Sequence, residues 1–478
     1  MNAVLTFLLI LTFCGTAIVA PKEGPPAVVL CLPFALIAGC AIWRFERRNE
    51  FLLRLFAAGL CVRVVIATLI NYFQGQTFFG GDADTYDLFG FALNQQWHGG
   101  GAIYQNLVTQ FTGIGGSGWG MLYFVASIYE IVGRNPLAIQ LVNTVIGAAT
   151  PVIIFHIAQH IFDNTRVARV SAILVAFYPS IVLWSAQALK DGPIVFLLVL
   201  AMLATLKLGE SFSVKFLVIL IASALGLLTL RFYIFYMLIA AVTGAFAMGM
   251  RTFSAQSFVR QFGVIIIIGL SLTYMGITRY AGAQIENFGN LKTVQRSRGD
   301  ASQSAQSGFA QDVDVSTTSG ALAAIPIGLL YLLFAPFPWQ LASLRQMITL
   351  PEMIVWWLSF PLLILGLWFT IRYRLRQISP ILLFTTLLTL GYSVFQGNVG
   401  TAYRQRSQLL VFYFVFIAVG YILFKEKRED RKRQIEAQKE MLAAAQPARA
   451  YAPLKTPRDF GVKPAFRATT PAVTGDER

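Results

Sequence analysis

Uninterrupted apolar runs recur along this chain, and they leave few folds open. Windows long enough to cross about 30 Å of hydrocarbon fall near residues 3–20, 26–43, 53–73, 139–160, 167–187, 191–209, 216–230, 232–250, 259–279, 353–371, 379–396 and 403–424. Lipid offers no partner to backbone N–H and C=O groups, so each run must close its own hydrogen bonds as a helix. A barrel would show short alternating segments instead. With 56% hydrophobic and 13% charged residues and a mean hydropathy of +0.63, the chain lies outside the range of soluble domains. The expected fold is all-α, a polytopic membrane helix bundle of about 12–14 transmembrane helices.

Basic residues set the sidedness. The net charge of +15 is concentrated in short loops beside the spans and in the tail after Phe424, the pattern of cytoplasmic retention. No soluble basic module is present for nucleic acid. Arg44, Arg47, Arg48 and Arg54 mark one cytoplasmic loop, and the KEKREDRKR run from Lys425 places the tail on the same side. The span 53–73 then leads outward, and residues 74–118 become the first large external loop. Two apolar segments are ambiguous: 119–133 is short, and 321–338 is broken by Pro326, Pro336 and Pro338. If neither crosses, the clusters around Arg166, Lys207, Arg251 and Arg372 all fall in the cytoplasm. Both are therefore read as interfacial or re-entrant.

Five regions follow: two N-terminal helices in 1–45, a catalytic-type module in 46–279, an external segment in 280–350, C-terminal helices in 351–424, and a basic cytoplasmic tail in 425–478 that is partly disordered. Residues 297–320 are rich in Ser, Gln and Gly, with almost no core-forming side chains, and suggest either a substrate-gating loop or a tolerated insertion. Cys14, Cys31, Cys40 and Cys61 all fall inside spans and read as packing residues. His156 and His160 have helical spacing, yet HIAQH lacks the Glu of a zinc-protease helix.

Acid is scarce except in FFGGDADTYDLFGFALNQQW, residues 78–97, where Asp82, Asp84 and Asp87 follow a span directly. Carboxylates at a membrane exit are costly unless they face water or a polar ligand. The Gly80-Gly81 pair should break the preceding helix, and Leu88, Phe91 and Leu93 suit an amphipathic helix on the membrane surface that starts at Asp82. Helix capping by Asp82 or Asp84 is the alternative. Farther along, Asp191 in KDGP matches a helix start, where an acid favours the helix dipole. Arg279, Arg404 and Arg406 lie near membrane level with Arg231 beside a turn, and each offers a planar fork suited to phosphate or a snorkelling cation.

These features resemble the GT-C class of integral-membrane glycosyltransferases, which includes protein O-mannosyltransferases and the lipid A aminoarabinose transferase. There the first external loop carries the catalytic Asp, often as Asp-Glu with a Tyr four residues after the Asp. Here Tyr86 stands at that offset from Asp82, while Ala83 replaces the Glu and the second acid is Asp84. The resemblance implies amphipathic juxtamembrane helices in that loop, a base at Asp82 or Asp84, and substrate contacts from Tyr86, Asp191, Arg279, Arg404 and Arg406. It implies transfer of a sugar from a polyprenyl-phosphate donor to a glycan, lipid or protein acceptor, on the outer face of the cytoplasmic membrane. No metal ligands are assigned, and a divalent metal cofactor is left open. The alternatives are a transporter or flippase of lipid-linked glycan, which should show broken helices that are hard to find here, and a polysaccharide polymerase or ligase.

Overall fold

The computed structural model describes residues 3–45, 50–75, 78, 81–112, 118–249, 263, 266–267, 269–271, 273–274, 289–303, 307–310, 313–341 and 343–445. Among them the regular structure is helical, apart from one isolated antiparallel bridge between Gly308 and Asn398. The helices are α1 (Ala3–Val19), α2 (Gly24–Phe45), α3 (Glu50–Tyr72), α4 (Asp82–Trp97), α5 (Ala102–Thr112), α6 (Trp119–Val132), α7 (Pro136–Phe162), α8 (Thr165–Phe177), α9 (Pro179–Ser185), α10 (Asp191–Glu210), α11 (Val214–Leu230), α12 (Phe232–Gly249), α13 (Leu291–Gln303), α14 (Thr318–Phe334), α15 (Leu344–Phe395), α16 (Val399–Gln405) and α17 (Ser407–Ala445). The all-α membrane bundle expected from the apolar runs is the architecture observed.

By length and composition, α2, α3, α7, α10, α15 and α17 are each able to cross a membrane, and the bent pair α8–α9 makes a seventh candidate. Helices α1, α6, α11, α12 and α14 are apolar but shorter. The ambiguous segment 119–133 forms α6, whose 14 residues rise only about 21 Å. Helix α15 joins two of the apolar windows across a kink, where Arg374 leaves helical geometry at φ −133°. The window 259–279 falls mostly outside the described residues, as does Arg279.

The bundle is organised around α7. Asn135 caps it by accepting a bond from the Ala138 N–H at 3.0 Å, Pro136 occupies its first turn, and Asp163 ends it in the left-handed region at φ 49°. Apolar all round, α7 is buried among α2, α3, α8 and α10. Its Gly147 permits a close crossing, since a Cβ there would lie 2.5 Å from Ser185 Cβ.

One window conceals a break. Residues 167–187 read as continuous, but Pro179 cannot donate to the carbonyl of Val175, and α8 and α9 meet at 56°. Five non-helical residues then lead to α10, held where Asn143 of α7 donates to the carbonyls of Gln187 at 2.8 Å and Leu189 at 2.9 Å.

The stretch 297–320 also differs from expectation. Phe309 and Val315 are buried in two small apolar clusters, with Phe309 stacked on Tyr331 at 4.2 Å. Its backbone N–H donates to the Gly397 carbonyl at 2.9 Å, and the Val399 N–H donates to Ser307 at 3.0 Å. Arg298 donates to the carbonyls of Val394 at 2.9 Å and Ala310 at 3.4 Å. Two apolar side chains, two backbone hydrogen bonds and one guanidinium, easily overlooked in a Ser- and Gln-rich composition, dock its described residues.

The chain divides into two units, residues 1–423 and 424–478. In the second, the described residues are helical and nearly all exposed, with Lys425 and Glu429 paired one turn apart at 4.0 Å.

Candidate active site

Helix α4 begins at Asp82 because Gly81 takes the cap position. Neither Asp82 nor Asp84 makes a side-chain cap bond, and neither does any residue at the start of α10, where Lys190 is the cap. The far half of α4 is fastened to α6. A Cβ on Gly90 would fall 2.3 Å from Val125 Cγ1, so glycine there sets the helix spacing. Asn94 donates to Glu130 at 2.8 Å, and Asp87 accepts from Tyr129 Oη and Arg134 Nη2, each at 2.5 Å. Of the three clustered acids, Asp87 therefore holds the scaffold. Asp84 is exposed and forms no ion pair with any described residue.

Asp82 belongs to a network that gathers four elements. Arg404 of α16 reaches Asp82 Oδ2 through Nη1 at 2.6 Å, and Asp191 Oδ2 through Nε at 2.7 Å and Nη2 at 2.6 Å. Arg231, between α11 and α12, approaches Asp191 Oδ1 at 3.4 Å. The Asp191 side chain is fully buried, that of Arg404 is 13% exposed and that of Asp82 is 55% exposed. The network thus grades from a dry interior pair to a carboxylate open to water. The Arg404 guanidinium also lies 5.9 Å over the Trp184 ring of α9. Burial opposes its charge, but Asp191 and Asp82 more than offset this and hold its pKa above the ordinary arginine value.

Lys190 completes the cluster, with its ammonium 5.6 Å over the ring of buried Tyr86. Gly118, at φ 96°, leaves room for it, since a Cβ there would sit 2.6 Å from Lys190 Nζ. Burial and then the neighbouring Arg231 pull its pKa down to about 7, against the opposing pull of Asp191. Three cations therefore face two carboxylates, leaving one positive charge in excess when Lys190 is protonated. Arg231 Nη1 is buried and makes no hydrogen bond with any described residue.

Asp82, Arg231, Arg404 and Trp184 open onto a cavity of about 1130 Å³. Ser307, Gln346, Thr349, Asn398, Gln405, Glu352 and Arg345 also line it, among apolar residues such as Ile66, Leu183 and Ile348. Glu352 is nearly buried and accepts from Tyr403 Oη at 2.8 Å. Consecutive residues of α16, Tyr403 and Arg404, thus address carboxylates on different helices.

The structure brings together Asp82, Tyr86, Asp191, Arg231 and Arg404 of the residues singled out from sequence. Arg406 does not join them. It is buried, with Nη2 on the Ala335 carbonyl, Nη1 on Met353 Sδ and Nε without a partner among the described residues, so it braces α14 and α15 and is not among the residues that line the cavity. Lys190, Trp184 and Glu352 were missed. Glu352 carried a usable signal, since it is an acid at the head of an apolar run. His160 hydrogen-bonds Lys207 at 2.9 Å and lies 3.3 Å from Glu210. No group of three or more His, Cys, Asp or Glu is gathered among the described residues.

Several helices long and apolar enough to cross lipid, with an ionic cluster beside a cavity, define a multi-pass membrane protein. Residues 119–274 match the family model described as dolichyl-phosphate-mannose-protein mannosyltransferase. The match supports the GT-C class and indicates a membrane glycosyltransferase of that kind. It covers Asp191 and Arg231 but begins after Asp82 and ends before Arg404. No curated protein matches the sequence.

Proposed function

We propose that the protein transfers a sugar from a polyprenyl-phosphate carrier to an acceptor hydroxyl on the outer face of the cytoplasmic membrane, with Asp82 as general base. The observation that carries this reading is the convergence of a half-exposed carboxylate with two guanidiniums on one 1130 Å³ cavity. The acceptor oxygen attacks the anomeric carbon as Asp82 takes its proton, and the bond to the phosphate oxygen breaks with its electron pair leaving on the carrier phosphate. Positioned proton transfer of this type is worth about 10²- to 10⁴-fold. Arg404 and Arg231 would hold the phosphate and stabilise the charge that develops on it. Phosphate drawing Arg404 Nη1 away from Asp82 would also free the lone pairs that the base needs. Wall residues such as Gln346 and Asn398 suit a polyhydroxylated ligand.

The bent pair α8–α9 favours a second reading, movement of a lipid-linked glycan across the bilayer. Purified protein in sealed vesicles with radiolabelled polyprenyl-phosphate sugar and a mixed glycan acceptor separates the two. A new glycosidic bond is the expected product. Label that crosses the vesicle membrane with no new bond formed would overturn the transferase reading.

Lys190 adds a pH signature. It is charged below about 7, where it strengthens the excess positive charge, and neutral above. A phosphodiester donor does not titrate in this range, so a step there belongs to the protein. Donor affinity is expected to fall as pH rises through about 7. If the bound anion raises the Lys190 pKa by about one unit, the change is about tenfold. Lys190→Met should give a flat profile at the weak, high-pH level, measured by titration of donor binding between pH 5.5 and 8.5.

A further inference from the structure

Arg63 is a lone cation in the middle of α3, wholly buried, and no carboxylate lies within ion-pair distance of it among the described residues. Its donors are spent on backbone and hydroxyl oxygens. Nη1 reaches the carbonyls of Ala176 at 2.8 Å and Gly59 at 3.1 Å, Nη2 reaches Val175 at 3.5 Å, and Nε donates to Ser185 Oγ at 2.9 Å. Two of these carbonyls end α8, where the chain has lost the N–H that Pro179 lacks and where the helix dipole favours a cation. The other contact, Ser185, ends α9. Arg63 therefore spans the break from one side to the other, and glycine at 59 and 147 gives it room, since a Cβ there would meet its guanidinium at 3.2 Å and 3.0 Å.

From Ser185 the contacts run on to the site. A Cβ on Gly192 would lie 3.3 Å from Ser185 Cα, so the residue beside Asp191 rests against the end of α9. Trp184, the neighbour on the other side, lies under Arg404. We propose that Arg63 is a positioning residue that fixes the bend between α8 and α9, and so sets where Asp191 and Trp184 hold Arg404. The geometric claim is independent of the chemistry, whereas its kinetic consequence rests on the glycosyltransfer reading above.

The test uses Pro179→Ala, which returns an N–H to the Val175 carbonyl and lets the two helices run on. Arg63→Leu alone is expected to lower the melting temperature and abolish transfer. In Arg63→Leu/Pro179→Ala the melting temperature should return towards wild type, while kcat at saturating donor stays down about 10²-fold, the order expected for misplaced catalytic groups. Recovery of both stability and kcat in that double variant would overturn the proposal. Arg63→Lys, which keeps the charge but loses the fork, should fold with a raised donor KM and a reduced kcat, because a displaced Arg404 holds the phosphate less well. A wild-type kcat in Arg63→Lys would equally count against it. A readout without turnover is the thermal coupling between Asp191→Asn and Arg404→Gln, measured in the wild-type and Arg63→Leu/Pro179→Ala backgrounds. Coupling should vanish in the second, and its survival there refutes the positioning role even if the protein transfers no sugar.

Discussion

Asp82→Asn is expected to lower sugar transfer by about 10²- to 10⁴-fold, the range for loss of a positioned base, with little change in melting temperature. The amide keeps the size of the side chain and can still accept a bond from Arg404, but it cannot take the hydroxyl proton. Because Asp82 is 55% exposed, its ion pair is solvent-screened and adds little to stability. Asp84→Asn is the internal control. Exposed and outside the cavity lining, it should change activity by no more than about twofold, the kinetic equivalent of the about 0.5 kcal/mol typical of surface positions. Initial rates with labelled donor, normalised to folded protein, check both. Equal losses in the two variants would place the base elsewhere.

Arg404→Gln should act on stability and on binding together. Its removal leaves fully buried Asp191 with Arg231 at 3.4 Å as its nearest remaining ion-pair partner, and breaking a buried pair costs about 3–5 kcal/mol. Thermal unfolding in detergent should show this as a large drop in melting temperature. Adding Asp191→Asn should recover much of it, because the second substitution removes the charge that the first one strands. Donor affinity should not recover, since a lost charge-assisted hydrogen bond of about 1.5–3 kcal/mol weakens binding about 10- to 160-fold in either background. Arg404→Lys offers one ammonium in place of a fork that engages two carboxylates through three nitrogens, so it should restore part of the stability and little of the affinity.

Much of this was legible in the sequence, and for identifiable reasons. Two glycines followed by acids at the end of an apolar run specify a helix that starts at Asp82, and α4 starts there. Backbone chemistry in lipid likewise dictates helices wherever the apolar runs occur. What stays hidden is whatever depends on distant partners. Arg404 is 213 residues from Asp191 and 322 from Asp82, and local spacing has no means of expressing that meeting. For the same reason Arg404 and Arg406, two positions apart and alike in sequence, part company in space, one into the cavity and the other into the scaffold. The break at Pro179 was masked because apolar windows average over a bend. Arg63, whose charge inside such a window marks the break, becomes interpretable only once the carbonyls it serves are known.

Helix α16 is a strut about 10 Å long, tied at both ends. At one end Asn398 and Val399 are pinned to Ser307 and Gly308, and at the other Arg404 grips the two carboxylates. Two turns of helix are all that separate the two fixings. Residues 307–310 and the ionic cluster are thus joined through seven residues of one helix, so the register of the first fixes the height at which Arg404 meets the second.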